Sequence, residues 1–415
     1  MRACVASLGC KLNQAEAESW RQGLEEAGWQ VVGPQEPSDV CIVNTCTVTH
    51  IADGKSRHLL RLARRRNPQA LVVAVGCYAQ RAPTEVVSLG GVNTVLSAAE
   101  KDNLVQIVTS ARKIDTRAAL TSYVPSMART RTFVKIQEGC DAACSYCIVP
   151  KVRGQERSLP LETVMAQVQE RSAGGYREVV LTGTNPGSYR YVDSGGHVTT
   201  LEALIERLLM ETAVERLRIS SLQPLDITIS LLGLWSQGRL CRHFHLPLQS
   251  GSDAVLRRMR RRYSTTQYRT ALDMIRELIP QAALTTDVMV GFPGETEVEF
   301  QESLAFCRDM AFASIHVFAY SDRPGTDSFQ AEGKVMPWLK KERSRRMMEL
   351  GQESSRRFRS SFCGQRLDVL WETRKGDTWM GLSDNYLRVF SRSGGPRNQI
   401  TVSSIVSLCE KGLRG

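Results

Sequence analysis

The chain is predicted to be an α/β protein with an N-terminal open parallel α/β domain, a central partial barrel of six βα units and a small C-terminal β-barrel. Three observations predict it. Short apolar strands alternate with amphipathic helical stretches from Arg2 to Val75, the same rhythm resumes on a larger scale from Thr130 to Tyr320, and from Gly364 onward the pattern turns to strand-like alternation between glycine-bearing turns. A length of 415 residues accommodates two or three domains with cores of their own, here expected at 1–115, 126–358 and 361–415.

In the first domain, Arg2 to Ser7, Val40 to Asn44 and Leu71 to Val75 read as buried strands, with amphipathic helices from about Gln14 to Ala27 and Ala52 to Arg66 between them. The strands end at Cys10, Cys46 and Cys77. A cysteine at one strand end reads as a small apolar residue, but the same placement three times puts three thiols where open α/β sheets gather their ligands. Cys4 and Cys41 fall inside strands and read as core.

In the central part the expected strands are Thr132 to Gln137, Glu178 to Leu181, Arg216 to Ser220, His243 to Pro247, Ala283 to Val290 and Ala313 to Phe318. Barrel chemistry sits at strand carboxyl ends. By position, Gly183 and Asn185 after the second strand, Ser220 and Ser221 after the third and Gln249 after the fourth are candidates for polar contacts to a ligand. His245 and His316, on strands, read as satisfied core imidazoles. Pro337 to about Phe358 reads as a basic helix with proline in its first turn. The tail is expected to hold strands at Arg366 to Thr373, Thr378 to Met380, Asn385 to Phe390 and Gln399 to Cys409, a size of barrel that often binds oligonucleotides.

Composition narrows the partners. A formal charge of +11 points to a polyanion, since neutralising phosphates releases counterions. Arg257, Arg258, Arg260, Arg261 and Arg262 form the densest candidate patch for RNA contact, with Arg64 to Arg66 and Arg343, Arg345 and Arg346 as lesser ones. No apolar run approaches a membrane span and the start, MRACVASLGC, has no signal-peptide pattern, so a cytoplasmic protein without membrane partners is expected. In that reducing setting the chain's 12 cysteines point to metal or redox chemistry rather than disulfides. Cys241, Cys307, Cys363 and Cys409 lack partner spacing and read as packing.

Cys140, Cys144 and Cys147 carry the most specific signal. Their CxxxCxxC spacing offers three thiolates and no fourth nearby, which fits a four-iron cluster with one open iron better than a four-ligand zinc site.

The runs LGCKLNQAE, NTCTVT, GCYAQ, KIQEGCDAACSYCIVPKVRG, LTGTN, RISS, HLPLQSGSDAVLRRM, TDVMVGFPGET and YSDRPGT together resemble the radical S-adenosylmethionine (SAM) methylthiotransferase family over essentially the whole chain. The terminal barrel resembles that family's RNA-holding TRAM domain. The resemblance implies two [4Fe-4S] clusters. Cys140, Cys144 and Cys147 would hold the one whose open iron chelates SAM, so that electron transfer yields a 5′-deoxyadenosyl radical. Cys10, Cys46 and Cys77 would hold an auxiliary cluster carrying a sulfur that a second SAM methylates before transfer. An electron donor and a sulfur source are implied as further partners. Gln223 stands where many relatives have Glu in an SSxEP run, and Pro186 after LTGTN is a second departure.

Family branches act on threonylcarbamoyladenosine or isopentenyladenosine in tRNA, or on an aspartate of a ribosomal protein. The ribosomal branch typically reads LGCPKN, whereas Lys11-Leu12-Asn13 follows Cys10 here; the run from Cys46 to Arg57 resembles the threonylcarbamoyladenosine branch more than the NTCSVRE of the isopentenyl one. The alternative of a different class is a basic iron-sulfur RNA-binding or redox-sensing protein without catalysis.

Overall fold

The computed structural model describes residues 1–111 and 130–415, so the expected domain limits at 115 and 126 lie outside the described residues. Strands β1 (Arg2–Ser7), β2 (Gln30–Val32), β3 (Val40–Thr45), β4 (Leu71–Gly76) and β5 (Thr94–Val95) form one parallel sheet in the order β2-β1-β3-β4-β5. Helices α1 (Lys11–Glu26), α2 (His50–Arg66) and the single turn α3 (Cys77–Arg81) follow β1, β3 and β4. Val40 to Thr45 is buried throughout, as a central parallel strand covered on both faces must be. The two-residue β5 and three-residue β2 are too short to show periodicity, and the sequence reading missed both.

The chain runs from β1 outward to β2 and then back to β3 on the other side, which makes the gap between β1 and β3 the switch point of the sheet. Cys10 and Cys46 follow these two strands, and Cys77 opens the helix after the neighbouring β4.

The central strands are β6 (Arg131–Lys135), β7 (Glu178–Thr182), β8 (Arg216–Ile219), β9 (His243–His245), β10 (Ala283–Val290) and β11 (Ser314–Ala319). They form two parallel three-stranded sheets, β8-β7-β6 and β9-β10-β11, joined where Leu217 bridges Leu240 and the Cys241 amide donates to the Leu217 carbonyl at 2.9 Å. The six strands thus succeed one another in chain order as a partial barrel, open between β6 and β11. Val134, Val179, Leu181, Leu217, Phe244 and Val288 fill its core. The short helix α4 (Val149–Arg153) lies just after Cys147, and the long helix α5 (Pro337–Ser360) packs back on β11.

The tail holds six strands rather than four. These are β12 (Arg366–Lys375), β13 (Thr378–Ser383), β14 (Arg388–Ser391), β15 (Ile400–Ser404), β16 (Ser407–Cys409) and β17 (Gly412–Arg414), in the order β15-β12-β13-β14-β17-β16. The expected strand over Gln399 to Cys409 breaks at Ile405-Val406, whose amides turn to the Gln365 and Arg414 carbonyls, and the sheet wraps around Leu367, Val369, Trp371, Val389, Ile405 and Leu413. This unit docks on the barrel through Arg131 to Glu372 (2.7 Å), Arg242 to Asp384 (2.6 Å) and the Arg216 guanidinium on the Leu382 carbonyl (3.1 Å). Among the described residues no helix is long and apolar enough to cross a membrane.

Candidate active site

The N-terminal cysteines converge. Burial, with Cys77 and Cys10 acting in the same direction, pushes the Cys46 thiol up to about 11; Cys77 is likewise raised by burial and feels Cys10. Gly9 permits the approach: its φ is +111°, and a Cβ there would stand 2.9 Å from the Cys46 sulfur. Asn13, fully buried on α1, pins the assembly by donating to the Leu8 (2.8 Å) and Thr45 (3.1 Å) carbonyls while the Cys10 thiol donates to its Oδ1 at 3.5 Å. Ser56 on α2 accepts from the Cys46 amide at 3.1 Å and donates to the Cys46 carbonyl at 2.9 Å.

The loop between β6 and α4 gathers the other three cysteines. The Cys147 amide donates to the Cys144 carbonyl (3.1 Å), burial pushes the Cys147 thiol up to about 12, and Arg261 donates to the Cys144 sulfur at 3.3 Å. Gly139, φ +74°, starts the loop where a Cβ would meet the Gln155 carbonyl oxygen at 1.8 Å.

A buried ionic network joins the two triads, and the sequence reading missed it. Arg153, at the end of α4, donates to Glu16 Oε1 at 2.9 Å and to Asn13 Oδ1 at 2.5 Å, while Lys101 pairs with Glu16 (2.9 Å) and with Glu138. Burial alone would raise the Glu16 carboxyl, but Arg153 and Lys101 hold it far below the usual range; Glu138, likewise buried, is held down to about 2 by Lys135 and Lys101. Arg323, in the loop after β11, makes a second bridge to Asp53 on α2 at 2.5 Å. The polar residues in LGCKLNQAE and KVRG were the available signal, since Asn13 and Glu16 stand one helical turn apart.

Between these elements lies a cavity of about 810 Å³ walled by all three parts of the chain, including Cys10, Lys11, Arg131, Gly183, Ser220 and Ser221. The Ser220 hydroxyl is buried without a partner, so it is free to bond a ligand. Asn185 and Gln249 do not line this cavity. The Asn185 amide donates to Gln137 Oε1 at 2.9 Å while its own Oδ1 is buried and unpartnered, and Pro186 opens a 3₁₀ turn. Gln249 has φ +67° and donates its amide to the Asp287 carbonyl at 2.8 Å.

His245 and His316 are not core imidazoles. Both line the cavity, and Asp287 lies between them, 3.3 Å from His245 Nε2 and 3.2 Å from His316 Nδ1. Burial opposes ionisation of Asp287, but the bonds from both histidines keep its carboxyl well below the usual range. His243 stacks on Tyr386 of the tail with ring centres 4.6 Å apart, and burial with Arg218 and Lys11 nearby drives its pKa well below the ordinary value, keeping it neutral. Burial and the Arg218 and Arg131 guanidinium groups lower the Lys11 ammonium to about 8.

The arginine patch is less open than its composition suggests. Arg258 forks onto Glu299 at 2.8 Å, Arg260 pairs with Asp327, and Arg261 points inward to Cys144, Gln223 and the Tyr263 ring, so three of the five have partners. Arg257 and Arg262 remain exposed. Gln223 takes part after all, as acceptor from Arg261. Arg64 caps carbonyls at Gly91, Pro68 and Ala70, and Arg343 is buried on Glu295 at 2.8 Å; both serve the fold. Cys4, Cys41, Cys241 and Cys307 are buried as expected, whereas Cys363 is exposed.

Comparison with known proteins bears on this geometry. The Radical SAM superfamily model matches residues 134–307, and the model of uncharacterized protein family UPF0004 matches residues 2–97. The chain is 34% identical over 405 residues to the threonylcarbamoyladenosine tRNA methylthiotransferase MtaB of Bacillus subtilis, covering 92% of this chain and 88% of that one. The MtaB of Aquifex aeolicus is 35% identical over 383 residues, covering 89% and 92%.

The chain belongs to the radical SAM tRNA methylthiotransferases.

A tRNA-2-methylthio-N(6)-dimethylallyladenosine synthase of Symbiobacterium thermophilum is 33% identical over 396 residues, covering 89% of this methylthiotransferase and 84% of its own length. The radical SAM methyltransferase TsrM from Kitasatospora setae shares the fold, with a TM-score of 0.57 at 14% identity over 79% of this chain and 77% of that one. The family implies SAM and a [4Fe-4S] cluster. The methylthiotransferase has residues that fit a cluster: three neighbouring thiols on the loop after β6, two of them raised by burial, are a donor set that a metal would deprotonate, and Arg261 would offset the charge.

Proposed function

We propose that this enzyme transfers a methylthio group to C2 of N6-threonylcarbamoyladenosine beside the anticodon of tRNA, with Cys140, Cys144 and Cys147 holding one [4Fe-4S] cluster and Cys10, Cys46 and Cys77 a second. When bound, the clusters supply the electron that splits SAM to a 5′-deoxyadenosyl radical and the sulfur that a second SAM methylates. Everything else falls to the chain. Gly183, Ser220 and Ser221 line the space in which SAM would lie, and Asn185 and Gln249 shape the adjoining strand ends. The Arg153–Glu16–Asn13 contacts fix one triad relative to the other, and tail residues such as Leu382 and Tyr386 supply part of the cavity wall.

The observation that carries this reading is the cavity with Cys10 in its wall, beside a buried network that ties α1 to the helix following Cys147, in a chain 34% identical to a protein named for threonylcarbamoyladenosine. We read 1–115, 126–358 and 361–415 as its three units, the last as an RNA holder. An electron donor and a sulfur source complete the partners, in the cytoplasm. Mass spectrometry of tRNA nucleosides from cells with and without the gene tests it. Loss of methylthiolated threonylcarbamoyladenosine supports the proposal; loss of the isopentenyl analogue alone moves the enzyme to the other branch.

A further inference from the structure

Lys11 is an unusual residue where it stands. It is the first residue of α1, where a cation works against the helix dipole, and its side chain lines the cavity directly after Cys10. Among the described residues its ammonium makes no hydrogen bond or ion pair. The nearby cations are matched: Arg131 has Glu372 at 2.7 Å, and Arg218 forks onto Glu178 at 2.7 and 3.1 Å. Of the wall's carboxylates, Asp287 is held by two histidines and Glu372 by Arg131. Five wall residues are Lys or Arg against three Asp or Glu, so the cavity as a whole favours an anion over a further metal cation at His245, Asp287 and His316.

We infer that Lys11 is the specificity-determining residue that binds the free carboxylate of the amino-acid substituent on the target adenosine. This rests on the threonylcarbamoyl reading above. The chemistry of the base supports the placement. C2 and the N6 substituent flank N1 on one edge of adenine, so a side chain adjacent to a sulfur-bearing triad at Cys10 is within reach of that substituent when C2 faces the sulfur. A threonylcarbamoyl group ends in a carboxylate, whereas an isopentenyl group has no charge to offer. An unpaired ammonium in a partly desolvated wall therefore welcomes the first and is left uncompensated by the second. The arrangement rejects as well as selects.

The test uses the reconstituted full chain and anticodon-stem-loop RNA carrying either threonylcarbamoyladenosine or its carboxamide analogue, which keeps the shape, removes the charge and replaces one acceptor oxygen by an NH2 donor. Wild type, Lys11→Gln and Lys11→Arg are compared for kcat, KM, RNA Kd and iron content. The expected result is a preference of wild type for the carboxylate RNA by about a hundredfold in kcat/KM, the order found when one partner of a desolvated charge pair is removed. Lys11→Gln loses about that factor on the carboxylate RNA, mostly in KM and with a parallel rise in Kd, and stays within about threefold of wild type on the carboxamide. Lys11→Arg recovers most of the loss. Equal loss on both RNAs overturns the inference. So does loss of iron from the Cys10 triad, which would make Lys11 a partner of the cluster. A fall in SAM-dependent methyl transfer measured without RNA would assign Lys11 to SAM's own carboxylate, and overturns it too. If wild type ignores threonylcarbamoyl RNA and modifies isopentenyl RNA, the substrate reading itself fails, before any variant is compared.

Discussion

Cys77 shares one small buried cluster with Ile148, the residue next in the chain to Cys147, and with Val152. One triad's wall is thus the other's. The two sites are held in register by apolar contact here and by the Arg153 network beside it, all supplied by α3, α4 and α1.

Arg153→Ala removes the guanidinium from Glu16, whose side chain is 3% exposed, and leaves a buried carboxylate with the Lys101 ammonium and the Asn44 side-chain amide. Breaking a buried pair typically costs about 3–5 kcal/mol, and the remaining Lys101 should bring the loss to about 2–4 kcal/mol. Denaturant unfolding of the variant measures it. A change under about 1 kcal/mol would mean the network is peripheral to stability.

Acid should loosen the same junction. The folded Glu138 carboxyl sits at about 2 against an ordinary value near 4.5, so its contribution to stability is complete above about pH 4.5 and is lost as pH falls toward 2. Glu16 is depressed in the same direction. A pH series of unfolding midpoints should therefore fall between pH 4.5 and 2, and Glu138→Gln should flatten the fall.

Gly139→Ala forces a Cβ into the Gln155 carbonyl and should disorder the loop that presents Cys140. Iron counting after anaerobic reconstitution should then lose the same share as in Cys144→Ala, while Cys46→Ala loses the other share. Full iron in Cys46→Ala would remove the second site from the proposal.

Arg257 and Arg262, exposed and not engaged by a carboxylate as Arg258 and Arg260 are, should contact phosphate. Replacing both with Ala should lower the slope of log affinity for tRNA against log salt by about 2, whereas Arg258→Ala, already paired with Glu299, should leave it nearly unchanged. A salt-independent wild-type affinity would sink the polyanion assignment.

Much of the fold was legible because β1, β3 and β4 and the six barrel strands carry apolar runs that period and length identify, and because the cysteines mark their ends. What stayed hidden is long-range. Glu16 to Arg153 spans 137 positions, and no local pattern announces an ion pair between a helix of the N-terminal sheet domain and the end of a helix in the partial barrel. His245 and His316 were misread because a histidine on a short strand gives no sign of which face is cavity, and the arginine run because its partners Glu299 and Asp327 lie 41 and 67 residues away. The short β2, β5 and β17 fall below the length at which alternation is visible.

The partial barrel has a mechanical consequence. Arg153 follows its first strand and Arg323 its last, and both reach the N-terminal sheet domain, at Glu16 and Asp53. That domain is therefore a strut across the gap where further strands would have closed the circle. The opening is spanned by side-chain contacts, these two ion pairs among them, rather than by backbone pairing, so loosening them should let the mouth widen without unravelling a single strand.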